Sequence, residues 1–408
     1  MDSKKIMQIL EDTAYYRVSG TEGELKAAEY LKAQCEEMGF EARIEAFDVA
    51  MADIKKAVLI ADGKEIPCKG FRLAGNADLE APLYYMPSDD PVSLNGCKGK
   101  IVLLDTGVPY FKYQDLLANG AVGIITYDGN VNYEDSNMDL KELRPHVSNG
   151  NKIPCVNVNA KSAIELVRDN VQNVRIILEQ DEYTGQSHNV VMDIPGETDE
   201  VIVLTAHYDT VPTSVGVYDN MSGSVGILGV ADYFKNHPHR YGLRFVWCGS
   251  EERGLLGSKA YCAAHKDELE KVVLNVNLDM IGSIMGNFIA CCSCEDKMIH
   301  FIEYLSAIEG FGVKARQDVY ASDSTPFADN GVPSLSFARI APNHTASIHN
   351  RYDTMDIMKA EHMTKDIDFI TKFVDIMANA VLCPVSREIP DKVKEKLDVY
   401  MARKRANH

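Results

Sequence analysis

No stretch of this 408-residue chain reaches the roughly 18 consecutive apolar residues that a membrane-spanning helix needs, so an α-helical membrane protein is excluded. The first twenty residues, MDSKKIMQILEDTAYYRVSG, scatter acids among the apolar positions and lack the apolar core of a secretory signal. The expected location is therefore the cytoplasm. Basic charge is also scarce. With 42 Lys and Arg against 60 Asp and Glu, the net charge is -18, which repels phosphate backbones and anionic lipid and argues against nucleic-acid or membrane partners. Ten cysteines are present at irregular spacings, and with no signal to route them to an oxidising compartment they read as free thiols. The cluster CCSC (Cys291, Cys292, Cys294) lacks the two C-x-x-C pairs of a structural zinc site and reads as buried strand cysteines. Internal repeats and low-complexity tracts are absent as well.

What is there exceeds one hydrophobic core, because single cores stop growing at roughly 250 to 300 residues, and two domains are expected. EGELKAAEYLKAQCEEMGF spaces Leu25, Ala28, Leu31 and Cys35 as one face of a helix that stops at Gly39, and the strand EARIEAF follows. From about residue 50 to 185 the texture changes to short glycine-punctuated strands such as GKIVLLDTG and GAVGIITYD, the mark of an inserted module. From NVVMDIPG onward, nearly continuous apolar strands alternate with helices: VIVLTAHYD, a helix near 222–236 with Ile227, Leu228, Ala231 and Phe234 on one stripe, LRFVWCGS, another helix, then VVLNVNLDMIG. The predicted fold class is α/β, with a mixed, mostly parallel central sheet flanked by helices and a smaller β-rich α/β insertion. The expected domains are 1–48 with 186–390, an insertion at 49–185, and a charged helix or frayed tail at 391–408 whose basic residues serve only to solvate it.

In an open α/β sheet, ligands bind beyond the carboxyl ends of the strands. Here those ends carry His207 and Asp209, the adjacent Glu251 and Glu252, and Asp279; Asp219 precedes the next helix and His349 lies late in the chain. Each alone has a bland reading: Asp219 as a helix N-cap, His207 as a core histidine, Asp279 as a turn carboxylate, His349 as a loop histidine. Together they form a set of imidazoles and carboxylates that suits zinc, and one bridging carboxylate lets such a set hold two ions. Asp209, two residues beyond His207, can accept the other ring N–H and fix its tautomer. At a strand-to-helix turn, adjacent glutamates can converge on one site from different angles. One can bind metal while its neighbour stays free as a general base.

In this order, AHYDT, DNMSG, EERGLLGS, NLDMIG and the H-x-x-x-D-T of HNRYDT resemble the dizinc exopeptidase family of bacterial leucyl aminopeptidases and glutamate carboxypeptidases. The resemblance covers most of residues 1–48 and 186–385. It implies His207 and Asp279 on one zinc ion, Glu252 and His349 on the other, Asp219 bridging and Glu251 as base. It selects His349 over His344, because only His349 is followed by Asp353 and Thr354 at the family spacing. It also implies a cis peptide between Asp219 and Asn220. The insertion resembles a protease-associated (PA) domain through GKIVLLDTG, GAVGIITYD and IPCVNVN. One departure stands out: many relatives carry Ser-Asp-His where this chain has Ser322, Asp323 and Ser324, which leaves the substrate contacts there open.

The implied activity is that of a metalloaminopeptidase acting on peptides with a free amino terminus, with two Zn²⁺ ions that Co²⁺ or Mn²⁺ can replace in such N/O ligands. The competing readings are a single-zinc glutaminyl cyclase on the same fold, a carboxypeptidase, and a non-catalytic binding protein.

Overall fold

The computed structural model describes residues 1–105, 107–129, 138, 140–343 and 345–406. They fall into two compact units, one of Met1–Val49 with Gln186–His408 and the other of Ala50–Gly185.

In the first unit the sheet runs in the order Val313–Gln317, Asn287–Ser293, Ser334–Ile340, Val272–Leu278, Val201–His207, Gly242–Cys248 and the end of Asn173–Ile194. The central neighbours are parallel, while Asn287–Ser293 against Ser334–Ile340 and Gly242–Cys248 against Val190–Ile194 are antiparallel. This is the mixed, mostly parallel sheet that the apolar strand texture predicts. Alternation explains its two covered faces. Ile202, Leu204, Phe245 and Trp247 join the core under helices Ser3–Asp12, Ser222–Phe234 and Ala360–Ala378, whereas Val203, Val246 and Cys248 pack with Tyr261, Cys262 and Phe327. Ile227, Leu228, Ala231 and Phe234 are all buried, as their stripe predicts.

Two local expectations need correction. In helix Glu22–Glu37, Ala28, Leu31 and Cys35 are buried, but Leu25 is only half-buried and the acidic Glu24 takes the inward place. Its carboxylate is satisfied there by Ser187 Oγ (3.1 Å), the His188 N–H (3.0 Å) and the Tyr208 hydroxyl (2.5 Å), so hydrogen bonding overrides the apolar pattern. The carboxyl-terminal segment is also more than a solvated tail. Helix Asp391–Tyr400 buries Val393 and Leu397 with Ile389 and Ala328, and Lys396 and Arg403 pair with Asp318 and Asp329.

The second unit has its own core, built on Ile101, Val102, Leu103, Ile124, Ile125, Val156 and Val158. Strands Ala77–Tyr85, Ile101–Leu103, Gly123–Asp128 and Cys155–Asn159 run parallel in that order, with Cys68–Gly70 antiparallel at the edge. Helices Tyr110–Ala118 and Ala160–Arg168 bury Leu116 and Leu166 in that core. All ten cysteines are free, and Cys291, Cys292 and Cys294 are buried at a strand and its end. No helix among the described residues is long and apolar enough to cross a membrane.

Candidate metal centre

Four carboxyl-end features of the first unit's sheet meet at one point. Strand Val201–His207 ends in His207, strand Val272–Leu278 is followed by Asp279, and strand Gly242–Cys248 leads into the single turn Glu251–Arg253. Asp219 sits in the turn Val217–Met221, ahead of the buried helix Ser222–Phe234. This turn is held against the Asp279 strand by Asn220, whose amide donates to the Leu278 carbonyl at 2.9 Å and accepts the Met280 and Gly223 N–H groups. Gly223 is required for that approach, since a Cβ there would lie 2.3 Å from the Leu278 oxygen. The peptide between Asp219 and Asn220 is cis, as the resemblance implies.

His207 Nε2 lies 3.2 Å from Asp219 Oδ1, 3.6 Å from Asp279 Oδ1 and 4.0 Å from Glu251 Oε2. His349 Nε2 lies 3.1 Å from Asp219 Oδ2 and 3.1 Å from Glu252 Oε2. Two donor groups result, His207 with Glu251 and Asp279, and Asp219 with Glu252 and His349, each offering atoms within 4.8 Å of one another. Glu251 thus falls in the first group, although His207 Nε2 lies nearer to Asp219. All seven sequence-predicted residues converge here. His344, the rejected alternative, lies outside the described residues.

The supporting residues are as telling. Asp209 faces His207 Nδ1 at 3.5 Å and accepts the main-chain N–H groups of Glu251 (2.9 Å) and Glu252 (3.3 Å). Asp353 accepts those of Tyr218 (2.7 Å) and Asp219 (3.0 Å). In the sequence Asp353 stands out only by its spacing from His349. Asp323 is fully buried, and its two oxygens find no hydrogen-bond partner among the described residues. Ser324, at the departing position, is buried and bonded to Ser336 Oγ at 2.8 Å, so it faces the core and not a substrate.

The electrostatics are those of acids and imidazoles crowded together out of water. Burial pushes the carboxyls of Glu251 and Asp279 above their ordinary range and that of Glu252 up to about 7, with neighbouring acids adding to it. Burial opposes charge on His349, but Asp219 and Glu252 outweigh it and raise the imidazole to about 11. Asp279 Oδ1 is buried with no hydrogen-bond partner among the described residues, an orphan that a bound cation would satisfy. Imidazole nitrogens with carboxylate oxygens are also the donor types of zinc sites, so the residues fit the metal.

Residues 189–374 match the model of Peptidase family M28. That segment is similar to the peptidase domains of that family. Along the whole chain, Aminopeptidase YwaD of Bacillus subtilis (strain 168) is 27% identical over 398 residues, covering 93% of this chain and 84% of the relative. Leucine aminopeptidase 2 of Arthroderma otae is 30% identical over 314 residues, covering 68% of this chain and 58% of the relative. The fold matches solved structures: a zinc aminopeptidase from Bacillus subtilis has a TM-score of 0.78 at 23% identity, covering 95% of this chain and 99% of that one. An aminopeptidase from Aneurinibacillus sp. strain AM-1 has a TM-score of 0.77 at 22% identity, covering 94% and 96%. All seven candidate site residues lie inside the matched segment.

Proposed function

We propose that the chain is a two-zinc aminopeptidase that removes amino-terminal residues from peptides. The observation that carries this reading is Asp219, whose two oxygens each face a different histidine, the arrangement a bridging carboxylate needs. His207 and Asp279 would hold one ion and Glu252 and His349 the other, with Asp219 available to both. Zinc held there would supply Lewis acidity towards a scissile carbonyl and acidify a nearby water.

Glu251 is the general base. Its main chain is fixed by Asp209, its side chain is nearly buried beside His207, and it takes a proton from the attacking water and returns it to the leaving amine. Its neighbour Glu252 is committed to His349, which separates the roles of the adjacent glutamates. The two relatives named above, both aminopeptidases, support the reaction class. The complete second donor group disfavours a single-zinc cyclase. The unit Ala50–Gly185 is a protease-associated-like domain, on the strands Ile101–Leu103, Gly123–Asp128 and Cys155–Asn159 that carry the three matching stretches.

Elemental analysis of the purified, active protein tests the metal reading. Two zinc ions per chain are expected, with activity lost on chelation and regained on adding zinc, cobalt or manganese. A single ion per chain at full activity, with no gain on adding more, overturns it.

A further inference from the structure

Arg17 lies between helices Ser3–Asp12 and Glu22–Glu37 and is fully buried, the only arginine or lysine among the described residues that is. Its guanidinium is spent on main-chain carbonyls. Nε donates to Tyr208 O at 2.6 Å, Nη2 to Gly216 O at 2.8 Å, and Nη1 to Thr13 O at 2.6 Å, Val215 O at 2.7 Å and Tyr15 O at 3.1 Å. Its own main chain exchanges hydrogen bonds with Thr210: the Arg17 N–H donates to Thr210 Oγ1 at 3.1 Å, and the Thr210 N–H to Arg17 O at 3.2 Å.

The carbonyls that Arg17 gathers from beyond residue 200 belong to one segment, 208–216. That segment begins immediately after His207, contains Asp209 and ends three residues before Asp219. It thus joins a ligand of the first ion, the residue that orients that ligand, and the bridging carboxylate. We propose that Arg17 is a positioning residue for the metal centre, presetting the separation of His207 and Asp219 by clamping both ends of the segment between them. The proposal rests on the two-metal reading of the same site.

The choice of arginine follows from the geometry. A planar fork presents five donors in fixed directions and can tie carbonyls from two chain segments at once, whereas lysine offers three donors on a point charge. Gly216 shows how tightly the fork is seated, because its φ is +53° and a Cβ there would come within 3.0 Å of Arg17 Nη2. A buried cation is costly unless its surroundings compensate it. Here Asp353, Asp209 and Asp219 all favour its charge, and these are the groups that hold or form the metal site. Burial lowers the Arg17 pKa to about 10, so it remains charged at neutral pH.

The test is zinc affinity measured by chelator competition on Arg17→Met and Arg17→Lys, alongside circular dichroism and thermal unfolding of the metal-free proteins. Both variants are expected to fold and to bind at least one zinc ion about 10- to 100-fold more weakly than wild type, the usual effect of removing a group that orients ligands. The visible spectrum of the Co²⁺-loaded variants should change with it. Lower unfolding temperatures with unchanged zinc affinities would make Arg17 merely structural and overturn the proposal. Should Arg17→Met fail to fold, Arg17→Lys keeps the charge but cannot reach five carbonyls, and the same titration decides. Failure of the wild-type protein itself to take up zinc would sink the metal reading, a result distinct from unchanged affinities in the variants.

Discussion

The carboxylate of Asp209 accepts the main-chain N–H of Glu251 at 2.9 Å. The same group faces His207 and reaches the Glu252 N–H, so one side chain beneath the site ties the end of strand Val201–His207 to the turn carrying both glutamates. Its burial is complete, which makes each contact stronger than it would be in water. Asp209→Asn keeps one acceptor oxygen and puts an N–H₂ donor where the second was, so one of these contacts must be lost. Zinc affinity is expected to fall about 10- to 100-fold while the fold persists. Equal zinc affinities for Asp209→Asn and wild type in a chelator titration would remove Asp209 from the machinery.

The adjacent glutamates should respond differently to the same change. Glu251→Gln is expected to leave zinc content intact and to lower kcat by roughly two to four orders of magnitude, the usual contribution of a general base. Glu252→Gln removes a ligand next to His349 and should deplete one ion of the pair. Zinc content per chain and kcat, measured together, separate the two. The donor distances also place Glu251 near His207 and Asp279, so zinc loss in both variants would reassign it as a ligand.

The fold and the residues of the candidate site were legible because their signals are local. Continuous apolar strands mark a sheet buried on both faces, and polar residues at the carboxyl ends of those strands mark the site. The supporting residues carry no such signal. Arg17 bonds to carbonyls 191 or more positions away or to its own neighbours, and a main-chain acceptor leaves no trace in side-chain pattern. Glu24 breaks the helical stripe because its partners at 187, 188 and 208 come from other elements. Asp323 stands in the sequence only beside the departing Ser324, and it is tertiary packing that strips it of water. Ser324, at the position that departs from the family pattern, is bonded to Ser336.

Zinc uptake should release protons. With His349 raised to about 11 and Glu252 to about 7, the metal-free site holds protons at neutral pH that the ions must displace. Both groups have folded pKa values above their ordinary 6.5 and 4.5, so each stabilises the metal-free fold below its ordinary value and loses that contribution as pH rises through its folded value. For Glu252 the loss falls between 4.5 and about 7. The metal-free protein should therefore lose stability across that window, while zinc affinity climbs as pH rises through about 7 and on towards about 11, as Glu252 and then His349 give up their protons. Calorimetric titrations in buffers of different ionisation enthalpy count the protons; a heat of binding independent of buffer would contradict the assignment.

The end of the peptide that the site reads can be argued from its arginines. Capture of a terminal carboxylate calls for a free guanidinium fork, which binds it bidentately. Arg253, Arg339 and Arg351 are the candidates near the motifs. Arg339 is committed, since its Nε and Nη2 fork onto the buried Asp366 and its Nη1 donates to Gly286 O at 3.1 Å. Arg351 stacks over the exposed ring of Tyr352 and bonds its hydroxyl at 3.1 Å, and Arg253 reaches Ser19 at 3.5 Å, so the three do not form a cluster. An α-ammonium, by contrast, needs carboxylates or carbonyl dipoles outside the ligand set, which a chain of net charge -18 supplies readily. Acetylating the amino terminus of a peptide removes the cation and leaves those acceptors unpaired, so kcat/KM is expected to fall on the order of 10⁴-fold. Amidating the carboxyl terminus should change it little. Rates for one peptide, its N-acetyl form and its C-amide decide between the two ends: rapid hydrolysis of the acetylated peptide together with failure on the amide would make the enzyme a carboxypeptidase.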